Sequence, residues 1–484
     1  MIFRLAIRSL HVRPVRTAVL ACGFGLGIAV MAELLGVGEV ILEQARSPAL
    51  QGGGDVLISG LFGSVDSARY LLSSVLGTGD LGSRARAASP FGRATLYLIK
   101  PGMVVAVNVR GGVPSLEKAV GDPEIAGQPA WVDAPGDQRW LNPDPAEVLR
   151  SMDRFHPRPH APDFASSWAE WLYFNGRTAD GGVRFYLTFL ASPSSRAGTF
   201  VAGVRLQLER AGRVTNYSSL AEVAERTLLD RAPDLDFGDN QVRLEDRQYR
   251  IALRLRRESA PPRGSVRASR QLGPSRAVLP HDVTGELTLD ARGGRSLPPS
   301  VIRGARGWLS GYVVPVLSGA MAGALEVDGE TVSLEGARGY HDHNWGFWQD
   351  VRWQWGQVAA DDLSFVYGRV FPPASVADPE RMPGFLAVLG PQGPIALSSN
   401  VSIAETAEGG APREIAVGAR GPTFDVHLAF SVERSIRSEL ALTGGEAPPM
   451  DFLQLAGTYR VTGHAGERTI DFAARGAAET FRPR

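Results

Sequence analysis

Apolar positions along the chain follow three patterns in turn. In Met1–Arg16, Phe3, Ile7 and Leu10 share one helical face, and Arg4, Arg8 and His11 the other. That is the pattern of an amphipathic helix lying at an interface. Thr17–Ala32 carries no charge, and the apolar run continues to Leu42, broken by Glu33 and Glu39. Roughly 20 apolar residues span a bilayer, so Ala18–Val37 reads as a transmembrane helix with Glu33 near one interface. The region from Ser47 to Ser89 is rich in Gly, Ser and Ala and reads as a linker with short ordered pieces. Ala94–Val109 reads as two strands around Pro101-Gly102, and Pro114–Pro143 as loop. Asp144-Pro145-Ala146-Glu147 combines an N-cap, a proline at the first helical position and a glutamate three residues after the cap. It predicts a short helix to about Phe155.

From Trp168 onward the period becomes two. Glu170–Leu190 reads as two apolar strands joined around Asp180-Gly181, and Gly323–Gly336 repeats the pattern around Asp328-Gly329. Further strands are expected in 283–294, 354–371, 424–435 and 459–476. Many short strands at regular spacing imply a sandwich or barrel, with enough strands for two barrels.

Composition and charge narrow the function. The chain has 484 residues, with Lys plus Arg at 51 and Asp plus Glu at 51, so no net basic field exists to attract nucleic acid. The lone cysteine, Cys22, cannot form an internal disulfide. The arginines sit mainly ahead of the apolar run, which predicts a cytoplasmic N-terminus and a single-pass membrane protein with its β domains on the extracytoplasmic, periplasmic side. The rival reading is a cleaved signal peptide ending at Val30-Met31-Ala32; the length of the basic region and of the apolar run favours the anchor.

The densest chemistry lies in Gly339–Trp348, which holds Tyr340, His341, Asp342, His343, Asn344, Trp345, Phe347 and Trp348, with Trp353 and Trp355 following. As a strand it places Tyr340, Asp342 and Asn344 on one face and His341, His343 and Trp345 on the other. Aromatic surroundings desolvate the Asp342 carboxyl, raise its pKa and make it a better proton donor. The structural alternative is an Asp342 that accepts backbone hydrogen bonds at a turn, with the tryptophans as core fillers. His341 and His343 have metal-ligand spacing but need a third ligand, for which His156, His160, His281, His427 and His464 are the remaining exported histidines. They are read as hydrogen-bonded residues flanking the site, and neither metal nor cofactor is expected. Glu170, beside Trp168 and Trp171, is an acid in an aromatic strand and needs a partner.

The run "GYHDHNWG", preceded by "GYVVPVLSGAMAGALEVDGETVSLEG", resembles the lipocalin-like family that includes carotenoid 1,2-hydratase (hydroxyneurosporene synthase, CrtC) and AttH. "WAEWLYFNGRTADGGVRFYLTF" resembles that family's opening strand pair, with Leu172 where a second tryptophan is usual. The resemblance covers Trp168 to the C-terminus. It implies two lipocalin-like barrels and functional roles for Tyr340 and Asp342. The first fifty or so residues resemble the first helix of MacB/FtsX-type ABC permeases, through "LAIRSLHVRPVRTAVLA".

The expected plan is therefore all-β: an anchor at 1–43, a linker with a small ordered segment at 44–160, and barrels at 161–310 and 311–484. The first functional reading is a protein that binds a hydrophobic small molecule, an isoprenoid or lipid, at the membrane as an accessory to ABC transporter subunits. The second is a hydratase or cyclase in which Asp342 protonates a C=C bond, assisted by Tyr340 and Glu170. In both, His341, His343, Asn344, Trp345, Trp348, Trp171, Tyr173 and Trp353 surround the ligand.

Overall fold

The computed structural model describes residues 54–58, 68–77 and 84–483, excepting 101–102, 123–124, 126–129, 259–280, 292–294, 361, 392, 409, 422–423 and 441–449, with scattered positions between 14 and 37. Residues 1–59 with 84–141 form one compact unit, and 60–83 with 142–484 the other. The expected anchor falls largely outside the described residues. Among those described, no helix is long and apolar enough to cross a membrane.

The smaller unit contains an antiparallel hairpin, β1 (Phe91–Lys100) and β2 (Met103–Gly112), and a short helix, α1 (Pro114–Ala119). The larger unit begins its main run with α2 (Pro145–Met152), where the Asp144 side chain accepts the Ala146 N–H at 2.8 Å. This is the helix start that Asp-Pro-Ala-Glu predicts.

The strands of the larger unit follow in chain order. They are β3 (Trp168–Arg177), β4 (Val183–Pro193), β5 (Thr199–Arg210), β6 (Arg213–Ala224), β7 (Leu235–Phe237), β8 (Asn240–Glu245) and β9 (Gln248–Arg257). Next come β10 (Val283–Asp290), β11 (Leu297–Arg303), β12 (Leu309–Val327), β13 (Glu330–Ser333) and β14 (Ala337–Phe347). Eight of them close a ring in the order β3-β4-β5-β6-β9-β10-β12-β14, with β14 returning to β3. Closure removes the exposed edges that an open sheet would present. Alternate residues point inward and fill the barrel: Leu172, Phe174, Phe185, Leu187, Phe189, Leu206, Leu253 and Leu287 are fully buried. Each contributes about 1.5–3 kcal/mol relative to exposure.

A second sheet of nine strands follows: β15 (Arg352–Ala360), β16 (Leu363–Phe371), β17 (Phe385–Gly390), β18 (Gly393–Ser398), β19 (Val401–Glu408), β20 (Ala411–Gly421), β21 (Phe424–Leu440), β22 (Met450–Ala465) and β23 (Arg468–Pro483). It runs β18-β17-β16-β15-β23-β22-β21-β20-β19, and among the described residues its end strands do not pair, so it is a half-barrel. Phe365, Tyr367, Leu428, Phe430, Leu455 and Tyr459 form its core. A third cluster, including Tyr173, Tyr186, Val314, Tyr340, Trp355 and Val366, packs the closed barrel against the half-barrel.

Two expectations change. Pro114–Pro143, expected as loop, begins with the helix α1. The second β domain is an open sheet, not a closed barrel. β12 and β14 complete the first ring, and the second sheet starts at Arg352.

Gly346 sits where β14 meets β12, paired with Ser310, at a φ of 145°. A Cβ there would lie 2.6 Å from the Leu309 carbonyl oxygen and 2.7 Å from the Ser310 Cα, both backbone atoms that cannot swing aside. Gly346→Ala should therefore destabilise the barrel by about 2–4 kcal/mol. Thermal unfolding followed by circular dichroism checks this, and an unchanged midpoint would contradict it.

Candidate functional site

β14 is the strand around which the site is built, and its two faces do different work. It pairs with β3 in the register Tyr340↔Asn175, Asp342↔Tyr173 and Asn344↔Trp171. Alternation turns His341, His343 and Trp345 into the closed barrel and Tyr340, Asp342 and Asn344 toward the half-barrel.

Inside the barrel a chain of charge-assisted hydrogen bonds replaces apolar packing. Asp153, the residue that caps the C-terminus of α2, accepts from His341 Nε2 at 3.0 Å and from the Tyr249 hydroxyl at 2.8 Å, and its other oxygen lies 3.0 Å from His343 Nδ1. His343 Nε2 is 2.9 Å from Glu170 Oε1, which also receives His156 Nδ1 at 2.8 Å. Burial opposes charge on Asp153, yet the two imidazoles hold its carboxyl far below the ordinary carboxylate range. Burial likewise opposes charge on Glu170, and His156 and His343 overcome it, so its pKa falls. For His343 burial lowers the pKa, but the two flanking carboxylates raise it to about 9. His343 is thus an imidazolium at neutral pH between two carboxylates. Phe174 stacks on His341 with centroids 4.1 Å apart, and His156 stacks on Trp345 at 4.0 Å.

His156, Glu170 and His343 bring three ligand-type atoms within 4.8 Å of one another, a donor set suited to zinc or iron. Glu170 already accepts both imidazoles and the His156 backbone N–H, at 2.8–3.0 Å. The three groups therefore satisfy one another as a relay.

The outer face of β14 holds a different arrangement. The Tyr340 hydroxyl donates to Asp342 Oδ2 at 2.7 Å, and Asn344 Nδ2 donates to Asp342 Oδ1 at 2.7 Å. Trp355 Nε1 donates to the Tyr340 oxygen at 2.9 Å, so the Tyr340 proton must point at Asp342. A second tyrosine and a second carboxyl stand beside the first pair. Gln454 Nε2 donates to the Tyr173 oxygen at 3.2 Å, and Glu479 of β23 is near enough for its charge to oppose ionisation of that tyrosine. The two tyrosine rings meet edge to face, 6.4 Å apart. Burial pushes Asp342 up to about 6, against the donors Tyr340 and Asn344 and the nearby imidazoles. Burial, then the charge of Asp342, pushes Glu479 up to about 8, and Tyr173 offsets little of it. The two carboxyls titrate as a pair that holds one proton near neutrality.

Both carboxyls open onto a cavity of about 400 Å³ between the closed barrel and the half-barrel. One part is aromatic, with Trp171, Trp348, Trp353, Phe452 and Phe481; Trp353 stacks on Phe481 at 4.0 Å. Another part is polar, with Thr188, Ser192, Gln207, Ser218 and the ion pair Arg205–Glu258 at 3.0 Å.

The expected site residues thus divide. Asp342, Asn344, Trp171, Tyr173, Trp348 and Trp353 line the cavity, and Tyr340 sits behind Asp342. Glu170, His341, His343 and Trp345 face the barrel interior, away from it, because they fall on the opposite phase of β3 and β14. The sequence reading missed Glu479, Gln454 and Asp153. The first two lie on β22 and β23 and reach the cavity only through sheet packing. Asp153 was foreseeable in kind, since a buried His-x-His pair requires acidic partners.

The fold and site define a protein with an aromatic, carboxyl-lined cavity between a closed, eight-stranded antiparallel barrel and an open β-sheet. The chain matches no protein-family model, and no curated protein matches it. Among solved structures, kievitone hydratase from Nectria haematococca aligns at a TM-score of 0.41 and 13% identity, over 67% of this chain and 93% of that one. CghA with Sch210972 aligns at 0.39 and 12%, over 68% and 94%, and CghA alone at 0.39 and 11%, over 68% and 93%.

Asp153→Ala should cost about 3–5 kcal/mol, because it leaves His341, Tyr249 and a charged His343 short of a buried partner. The His343 pKa is raised on folding, so its contribution is complete below about 6.5, its unfolded value, and is lost as pH rises through about 9. Urea midpoints measured from pH 6 to 10 should fall across that window, and the fall should shrink in His343→Gln. A flat profile in the wild type would contradict the relay.

Proposed function

We propose that this protein is an enzyme of hydratase or cyclase type, adding water to, or closing a ring in, a hydrophobic unsaturated molecule held between its two β domains. The observation that carries this reading is two carboxyls, Asp342 with its donor Tyr340 and Glu479, opening onto one aromatic cavity. A cavity that only carries ligand has no use for two coupled carboxyls, which are costly to bury. The accessory role beside an ABC transporter shares the cavity and leaves the carboxyls unexplained.

The roles follow from donor direction. Both oxygens of Asp342 already receive hydrogen bonds, from Tyr340 and Asn344, which favours its carboxylate form. Glu479, raised to about 8 by burial and by the charge of Asp342, carries the shared proton at neutral pH. Glu479, rather than Asp342, is therefore the acid. It protonates the C=C bond, and the resulting cation rests against the π faces of Trp171, Trp348 and Trp353. Asp342 then takes the proton from an attacking water, or from the carbon next to a newly closed ring. Proton return from Asp342 to Glu479 restores the starting state. Glu170, on the other side of β3, holds the histidine relay that fixes β14.

Activity should be bell-shaped in pH, failing below about 6 as Asp342 gains a proton and above about 8 as Glu479 loses its own. The test incubates the purified protein with acyclic isoprenoid alcohols and polyenes in heavy-oxygen water and, separately, in deuterium oxide. Mass spectrometry should find product carrying the label from the wild type. Asp342→Asn and Glu479→Gln should each lower turnover about 10²–10⁴-fold while ligand still quenches tryptophan fluorescence. Ligand that binds and returns unlabelled from all three proteins would establish the carrier reading instead.

A further inference from the structure

The β1–β2 hairpin exposes apolar side chains on both of its faces. Register places Leu96, Leu98, Val105 and Val107 on one face and Tyr97, Ile99, Val104 and Ala106 on the other. All eight are exposed, with Tyr97 at 66%, Ile99 at 75% and Val104 at 64%. Soluble surfaces seldom expose a contiguous apolar patch of this kind without a covering partner.

We infer that this hairpin inserts its distal half into the lipid bilayer. Three observations favour lipid over protein. First, a protein partner covers one face of a two-stranded ribbon, whereas both faces here need an apolar medium. Second, polarity is graded along the ribbon. Its base holds Arg93, the Thr95–Asn108 hydrogen bond at 3.0 Å, and Arg110, which is paired with Asp122 and stacked over Phe91 at 5.2 Å. The apolar part runs from Leu96 to Ile99 on one strand, roughly 13 Å at the rise of an extended chain, most of one leaflet of hydrocarbon. Third, the hairpin belongs to the same compact unit as residues 1–59, whose basic, amphipathic and apolar segments read as membrane-directed. Lys100 near the turn limits the depth: the ribbon enters at a tilt that lets the ammonium reach lipid phosphates.

Cys22 is the sole cysteine, so a Cys22→Ser background gives clean single-site labelling. Full-length Leu98→Cys and Val104→Cys carry an environment-sensitive fluorophore, with Val132→Cys as control, an exposed site of the same unit outside the hairpin. Each is reconstituted into phosphatidylcholine–phosphatidylglycerol vesicles. Brominated lipid should quench the two hairpin labels about twofold more than the control, and aqueous iodide should quench them less. Quenching by iodide and not by bromolipid would show a hairpin in water. Protection from both quenchers would show a protein cover, a second copy or another segment. Either result overturns the inference.

Discussion

The period-two alternation of β14 governs the site and the barrel together. One strand closes the ring by pairing with β3 and β12, and its successive side chains fall on opposite faces. A slip of one residue would turn Asp342 into the barrel core and His343 into the cavity. The slip is prevented from both sides. Inward, His341 and His343 must meet Asp153 and Glu170; outward, Asp342 must meet Tyr340 and Asn344. Gly346 then lets the two backbones approach at the rim.

The interior relay has large energies of opposite sign. Burying an imidazolium and two carboxylates costs several kcal/mol per ion, and the hydrogen bonds return much of it only if every partner is present. Such a network adds little net stability, but it makes any other arrangement of β3, β14 and α2 costly. Tyr340 and Asp342, on the far side of β14, therefore sit on a rigid support.

Two carboxyls on one cavity acquire different proton affinities from their neighbours. Asp342 has two donors, Tyr340 and Asn344; Glu479 is raised further by burial and by the charge of Asp342. Environments that separate two carboxyls in this way allow one to give a proton while the other accepts one.

Much was legible in the chain itself. Period-two patterning with Asp-Gly turns determined a mostly β region from Trp168, interrupted by the helix Glu225–Arg231, and the alternation within Gly339–Trp348 assigned Tyr340, Asp342 and Asn344 to one face. Asp144-Pro145 determined the start of α2. These are local properties, set by backbone geometry and a few neighbouring residues. The phase of β3 was not resolved as well, so Glu170 was grouped with Trp171 and Tyr173, although it points the opposite way. Only the tertiary structure decided that β12 and β14 close the first ring, that the second sheet stays open, and that Asp153 and Glu479 join the histidines and Asp342 across separations of well over a hundred residues. Those pairings depend on which strands become neighbours. Burial and charge then act between groups that no local pattern brings together.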